Sequence, residues 1–166
     1  EIVLETARFW ASRGTIGPDG RYHIRTVIGP DEYHEGVDDN AYTNGMAQWN
    51  LERGVDAART LAERWPARWQ ALAERLTLTA QESQEWARLA AAMYTGFDPH
   101  TGLFEQFSGY FGLEDIDLTT YTGRTVPMDV LLGRERTQRS QVVKQADVVL
   151  LLHLLWDRFP PQVREE

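Results

Sequence analysis

Cysteine is absent from the 166 residues, so there is no disulfide framework, no thiolate metal site and no cysteine nucleophile. That fits a reducing, cytoplasmic setting. Positive charge is scarce as well: 17 basic residues against 25 acidic ones leave a net charge of −8, which argues against nucleic acid as a partner. Lysine is almost missing. Sixteen of the seventeen basic residues are arginine and one, Lys144, is lysine. A compact ammonium meets groups that a planar guanidinium does not, so Lys144 asks for a specific role, the alternative being survival by chance. No apolar run nears the ~18 residues of a membrane span. The longest, Val148 to Leu152 and on past His153 to Trp156, suits a core helix and no membrane partner is expected. There is no leader pattern and no opening methionine, and Glu1 already lies in a helical pattern, so a piece of a longer polypeptide is expected. With 42% hydrophobic and 11% aromatic residues, the chain reads as one soluble globular domain.

The richest stretch runs from Val27 to Asn44, V-I-G-P-D-E-Y-H-E-G-V-D-D-N-A-Y-T-N. Asp31, Glu32, Glu35, Asp38 and Asp39, with His34 among them, crowd into nine positions. Interleaved with Tyr33 and Tyr42, they can shift one another's pKa values and supply a general acid. The plainer reading is a solvated acidic loop that caps the next helix. His34 with Asp31 and Glu35 also has the donor types of a zinc or calcium site, although no metal is needed to account for them.

Along the chain, residues 2–13 read as a helix stopped at Gly14, and Gly17-Pro18-Asp19-Gly20 as a tight turn. Alternation from Tyr22 to Ile28 predicts a strand. Asp38 or Asp39 is a candidate cap for a helix from about Asn40 to Trp65, residues 66–76 read as a short helix opened by Pro66, and Thr79 with Glu82 forms a capping box for a helix reaching about Tyr94. From Thr95 to Pro127 comes a long irregular region holding a short predicted strand, Leu103 to Phe107. Aromatics and acids alternate there, as in a surface that binds sugar rings and hydroxyls, or in a lid over a core.

A turn at Met128 to Leu132 precedes a final helix predicted over Gln138–Phe159, apolar around nearly its whole circumference and therefore buried on all sides. Lys144-Gln145-Ala146-Asp147 would then face a polar cavity near its start, or Lys144 and Asp147 would form a structural ion pair. Long helices alternating with long loops suggest a layered α-barrel whose loops gather at one end.

Three segments, V-I-G-P-D-E-Y-H-E, D-N-A-Y-T-N and V-V-K-Q-A-D-V-V, in this order and at about this separation, resemble glycoside hydrolase family 65, and the likeness runs from Phe9 to Leu155. The resemblance implies an all-α fold, part of a six-over-six α/α barrel with short β excursions in long loops, residues 1–166 forming a partial catalytic domain. It implies inverting phosphorolysis of an α-linked glucose disaccharide, with inorganic phosphate as co-substrate and no cofactor. Glu32 matches the general acid, and Lys144 and Gln145 match residues that hydrogen-bond the transferred glucosyl unit. Asp31, Tyr33 and His34 belong to the surrounding substrate-binding motif. A proton donor at neutral pH needs a raised pKa, which burial and the neighbouring Asp31 or Glu35 are expected to supply. The family's phosphate-binding loop and the upstream barrel lie outside this sequence, so the piece alone is expected to be inactive. Its uncovered helix faces are expected to meet the remaining segments of the parent chain or another copy. An inverting α-glucoside hydrolase on the same barrel and a non-catalytic carbohydrate-binding helical domain are the alternatives.

Overall fold

The computed structural model describes residues 1–165, which fall into two compact units. The first comprises Glu1–Ile24 and Asn44–Tyr94. It holds α1 (Ile2–Arg13), a hairpin of β1 (Thr15–Ile16) with β2 (Tyr22–His23), most of α2 (Ala41–Arg64), α3 (Pro66–Leu76) and α4 (Ala80–Ala92). Local chemistry sets these limits. Pro66 starts α3 where its missing N–H costs nothing, and Thr77 ends it in the left-handed region. At α4 the capping box is complete, with Glu82 N–H on Thr79 Oγ1 at 3.2 Å and Thr79 N–H on Glu82 Oε2 at 2.9 Å. Glu82 also accepts from Arg8 Nε at 2.7 Å, joining α4 to α1. Leu4, Ala7, Leu51, Trp86 and Leu89 are buried here. Gly54 lets the helices close up, since a Cβ there would lie 2.6 Å from that of Ala7. Tyr22 finishes α1 by donating to Trp10 O at 2.8 Å and accepting Gly14 N–H at 2.7 Å.

The strand predicted over Tyr22–Ile28 is cut to Tyr22–His23. Thr26 takes φ 56° and turns the chain, its N–H held by Asp38 Oδ1 at 2.9 Å, so the alternation beyond it never joins the ladder.

The second unit comprises Arg25–Thr43 and the chain from Thr95 onward. Residues 95–127 are irregular apart from two 3-10 turns, Tyr110–Gly112 and Leu118–Tyr121, and then come α5 (Met128–Leu132), α6 (Arg134–Gln138), α7 (Asp147–Leu154), a 3-10 turn at Trp156–Arg158 and α8 (Pro161–Glu165). Leu103–Phe107 is no strand; a bridge between Phe97 and Phe104 closes a turn instead. Ile116, Met128 and Val142 form a small apolar cluster with Tyr33, Tyr121 and Leu132 against it.

The final helix is shorter than predicted. Residues 139–146 are not helical, and α7 begins only at Asp147. Their backbone groups are claimed from elsewhere: Glu114 N–H donates to Arg139 O at 2.9 Å, Gln141 N–H to Glu114 O at 2.8 Å, and Lys144 N–H to a buried carboxylate. Once those groups are satisfied, the helical alternative loses its advantage. Nor is α7 buried on all sides. Leu151 turns inward, whereas Val149 is 65% and Leu154 48% exposed. No helix among the described residues is long and apolar enough to cross a membrane.

Candidate active site

Asp31, Glu32, Tyr33, His34, Lys144 and Gln145 all lie within the second unit. The acidic stretch becomes a closed loop, because Val27 and Val37 exchange two N–H···O bonds of 2.9 Å. Asn40 caps α2: its Oδ1 accepts the N–H of Thr43 at 2.9 Å and its Oγ1–H at 3.0 Å. A hydroxyl and an amide both reach Asn40 because it stands directly before the helix.

Asp31 points inward and is 1% exposed. Its Oδ1 accepts the N–H groups of Lys144 at 2.9 Å, Tyr33 at 3.3 Å and Gln145 at 3.4 Å. Its Oδ2 takes Nδ1–H of His34 at 2.6 Å and Nε2–H of Gln106 at 3.2 Å. In return, Asp31 N–H donates to Asp147 Oδ1 at 2.7 Å, and Asp147 Oδ2 accepts from Asn40 Nδ2 at 2.7 Å. Lys144 and Asp147 therefore do not pair as helical neighbours, because the turn before α7 sends them to different partners.

His34, 2% exposed, places Nε2 2.9 Å from Ser140 O. A carbonyl and an ionised carboxylate can only accept, so His34 donates from both ring nitrogens as an imidazolium. Its charge state has a physical cause. Burial pushes the imidazole pKa down, but the bonds to Asp31 and to Ser140 O outweigh burial and hold it above the ordinary histidine value. For Asp31, burial pushes upward, and the bonds from His34, Lys144 N–H and Tyr33 N–H bring the carboxyl below its usual range. Asp147 stays raised, since burial exceeds what Asn40 and Asp31 N–H return. With both its nitrogens in use, His34 has none for a metal, and Glu35 is turned to Arg134. No three His, Cys, Asp or Glu side chains among the described residues converge as a metal site.

Glu32, next to Asp31, points the opposite way, its side chain 63% exposed. Lys144 Nζ contacts its Oε2, and Glu32 N–H donates to Gln145 Oε1 at 3.2 Å. Tyr33 OH lies 3.2 Å from Asp129 Oδ1. Glu32, Tyr33 and Asp129 border an open cleft, which Glu35, Arg134, Thr137 and Gln138 also line. The raised Glu32 pKa expected from burial is not found. The Lys144 hydrogen bond and charge lower it, and Asp31 adds only a minor opposing push. Glu32 is not buried here, and the nearest charge is positive.

The site thus has two layers: a buried polar one of Asp31, His34, Asn40, Gln106 and Asp147, and an accessible one of Glu32, Lys144 and Gln145. An accessible carboxyl beside an ammonium and an amide can exchange a proton with a ligand oxygen while its neighbours bind hydroxyls. Gln106, Ser140 and Asp129 carried no signal in the sequence, being ordinary polar residues, the first two in irregular stretches and Asp129 in the short α5. Asn40 and Asp147 stood in conspicuous motifs, D-N-A-Y-T-N and K-Q-A-D, without showing where they point.

The chain is similar to known proteins. Kojibiose phosphorylase of Thermoanaerobacter brockii is 36% identical over 166 residues, which cover 99% of this chain and 21% of that protein. The 1,2-alpha-glucosylglycerol phosphorylase of Bacillus selenitireducens is 38% identical over 165 residues, covering 95% of this chain and 21% of that protein. The chain thus spans about a fifth of the length of these relatives. A solved structure described as a putative kojibiose phosphorylase from human microbiome covers 98% of this chain and 22% of its own, at 24% identity and a TM-score of 0.83; its fold supports the all-α class, part of an α/α barrel with short β excursions. Residues 1–166 match the Glycosyl hydrolase family 65 central catalytic domain, and the chain belongs to that family.

Proposed function

We propose that this chain is the part of a longer polypeptide's catalytic domain that carries the general acid for inverting phosphorolysis of an α-linked glucose disaccharide, yielding glucose phosphate and a sugar. Inorganic phosphate is the co-substrate, and no cofactor takes part. The observation that carries the reading is the meeting of Glu32, at an open cleft, with the Lys144 ammonium and the Gln145 amide, although 112 positions separate Glu32 from Lys144. The phosphorylases named among its relatives support the same reaction class.

Glu32 donates its proton to the glycosidic oxygen as the bond to the anomeric carbon breaks, and phosphate attacks that carbon from the opposite face, taking the place of the water used by an inverting hydrolase. Lys144 lowers the Glu32 pKa and so favours the ionised carboxylate. A glucosyl unit whose hydroxyls accept from Lys144 Nζ and bond Gln145 draws the ammonium off Glu32 and excludes water, and both changes favour the protonated carboxyl. Sugar binding and arming of the acid are then one event. The rest of the polypeptide supplies the phosphate site and the other barrel helices, so the isolated piece is inactive and its exposed apolar helix faces meet those segments or a second copy. Nucleic acid and membrane are not partners, and the protein works in the cytoplasm.

The test is to incubate the full-length protein with α-linked glucose disaccharides, with and without phosphate, and to measure sugar phosphate. Phosphate-dependent product is expected. Glucose released equally without phosphate would identify a hydrolase with a catalytic base elsewhere. Glu32→Gln should abolish turnover of natural disaccharides and leave their binding intact, and turnover retained in that variant would remove Glu32 from the role of acid.

A further inference from the structure

Beneath the accessible residues, two segments far apart in the chain are cross-braced by two aspartates. Asp31 N–H donates to Asp147, while the Asp31 carboxylate accepts Lys144 N–H and Gln145 N–H; these three bonds join residues 116, 113 and 114 positions apart. Each aspartate therefore grips the other's segment. Asp31 directly precedes Glu32, and Asp147 follows Lys144 and Gln145 at the first turn of α7. Neither aspartate reaches the cleft, being 1% and 0% exposed. The 139–146 stretch has no helix to hold its shape, so the Asp31 carboxylate, with the Glu114 pairing, fixes where its backbone runs. His34 completes the device: its imidazolium neutralises Asp31 and ties the same carboxylate to Ser140 O, at the other end of that stretch.

We propose that Asp31 is a positioning residue whose buried carboxylate, by accepting the Lys144 and Gln145 backbone N–H groups, sets the placement of their side chains against Glu32. This deepens the role proposed for Glu32, Lys144 and Gln145 and rests on it. What matters in Asp31 is its acceptor oxygen and not its charge. Asparagine keeps that oxygen toward Lys144 N–H, and its amide can donate to a neutral His34 whose other nitrogen still donates to Ser140 O, provided Gln106, which donates to the same Asp31 oxygen, turns its amide to present an acceptor. Alanine removes the acceptor and leaves buried N–H groups unmatched.

The test compares Asp31→Asn with Asp31→Ala in the full-length protein, with rates expressed per folded enzyme. Misplacement of about 1 Å costs roughly 100-fold in rate, which is the drop expected in kcat for Asp31→Ala. Its KM for disaccharide should rise while its KM for phosphate stays put, a split that a smaller active fraction cannot produce. Asp31→Asn should recover both parameters to within about tenfold of wild type. An Asp31→Ala enzyme with wild-type KM for disaccharide, or an Asp31→Asn enzyme as impaired as Asp31→Ala, would overturn the proposal.

Hydrogen exchange reads the same clamp without turnover. The Lys144 and Gln145 amides should be protected in wild type and in Asp31→Asn despite lying outside any helix, and exchange at open-loop rates in either protein would also overturn the proposal. This measurement decides the matter if Asp31→Ala does not accumulate. Protected amides in a protein that consumes no phosphate would refute the phosphorolysis reading and leave the clamp standing.

Discussion

Replacing Gly29 by alanine puts one methyl group into the centre of the buried polar layer. Its Cβ would fall 2.2 Å from Asp147 Oδ2, 2.5 Å from Asn40 Nδ2 and 2.8 Å from Asn40 Cγ. The backbone at Gly29 is not left-handed, so the difficulty is one of space alone. Ordinary contact begins near 3.4 Å, which means that the carboxylate must retreat by about 1.2 Å. Asp147 is fully buried, and a retreat of that size breaks its 2.7 Å bonds from Asn40 Nδ2 and Asp31 N–H. A hydrogen bond to a charged group contributes about 1.5–3 kcal/mol, so losing two costs roughly 3–6 kcal/mol. That is a large share of the 5–15 kcal/mol by which a typical domain is stable. Gly112→Ala is the control, because a Cβ there meets nothing within 4 Å and its φ is ordinary. In the full-length protein, Gly29→Ala should lower the thermal midpoint by many degrees and speed exchange of the Asp31 amide, while Gly112→Ala should do neither. Equal melting of the two variants, or an Asp31 amide still protected in Gly29→Ala, would refute the reasoning.

Three further outcomes concern pH. His34 is held above its ordinary pKa, so its contribution to stability is fully present below about 6.5 and is lost as pH rises through the higher folded-state value. The thermal midpoint should therefore decline on the alkaline side, and His34→Gln should flatten that decline; an unchanged decline would show that another group causes it. Asp31 is depressed, so its contribution is present above about 3.9 and is lost as pH falls through a lower folded-state value. In Lys144→Met, Glu32 loses the charge that lowers its pKa. Since the acid works protonated, the alkaline limb of kcat/KM in that variant should move to higher pH even as its height falls, and a limb that stays or moves down would separate Glu32 from that titration.

How far the sequence could be read depended on where each segment finds its partners. The stop at Gly14, Pro66 and the Thr79–Glu82 box act within a turn or two, and the first four helices lie where such local signals put them. The stretch 139–146 misleads because its partners, Glu114 and Asp31, lie far away, and nothing local says that their oxygens and amides will outbid a helix. Thr26 misleads in the same way: only its capture by Asp38 reveals the left-handed turn that ends the strand. Within the acidic loop, composition pointed to a site, yet it could not tell that Asp31 and His34 turn inward while Glu32 turns out. On an irregular turn there is no period from which to read a face.

The long reach of these bonds also orders events in time. Besides their local pairing, Asp31, Glu32 and His34 reach Ser140, Lys144 and Asp147 at separations of 106 to 116 positions. At about 5–20 residues per second of synthesis, the acidic loop waits roughly 5–25 s for Lys144 and Asp147 to appear. Closing so long a loop is entropically costly and slow, so this layer belongs to the late steps of folding. An apolar loop left waiting would invite aggregation. One built from aspartate, glutamate and histidine stays hydrated until its counterpart arrives, and then gives up that water for the bonds that fix the site.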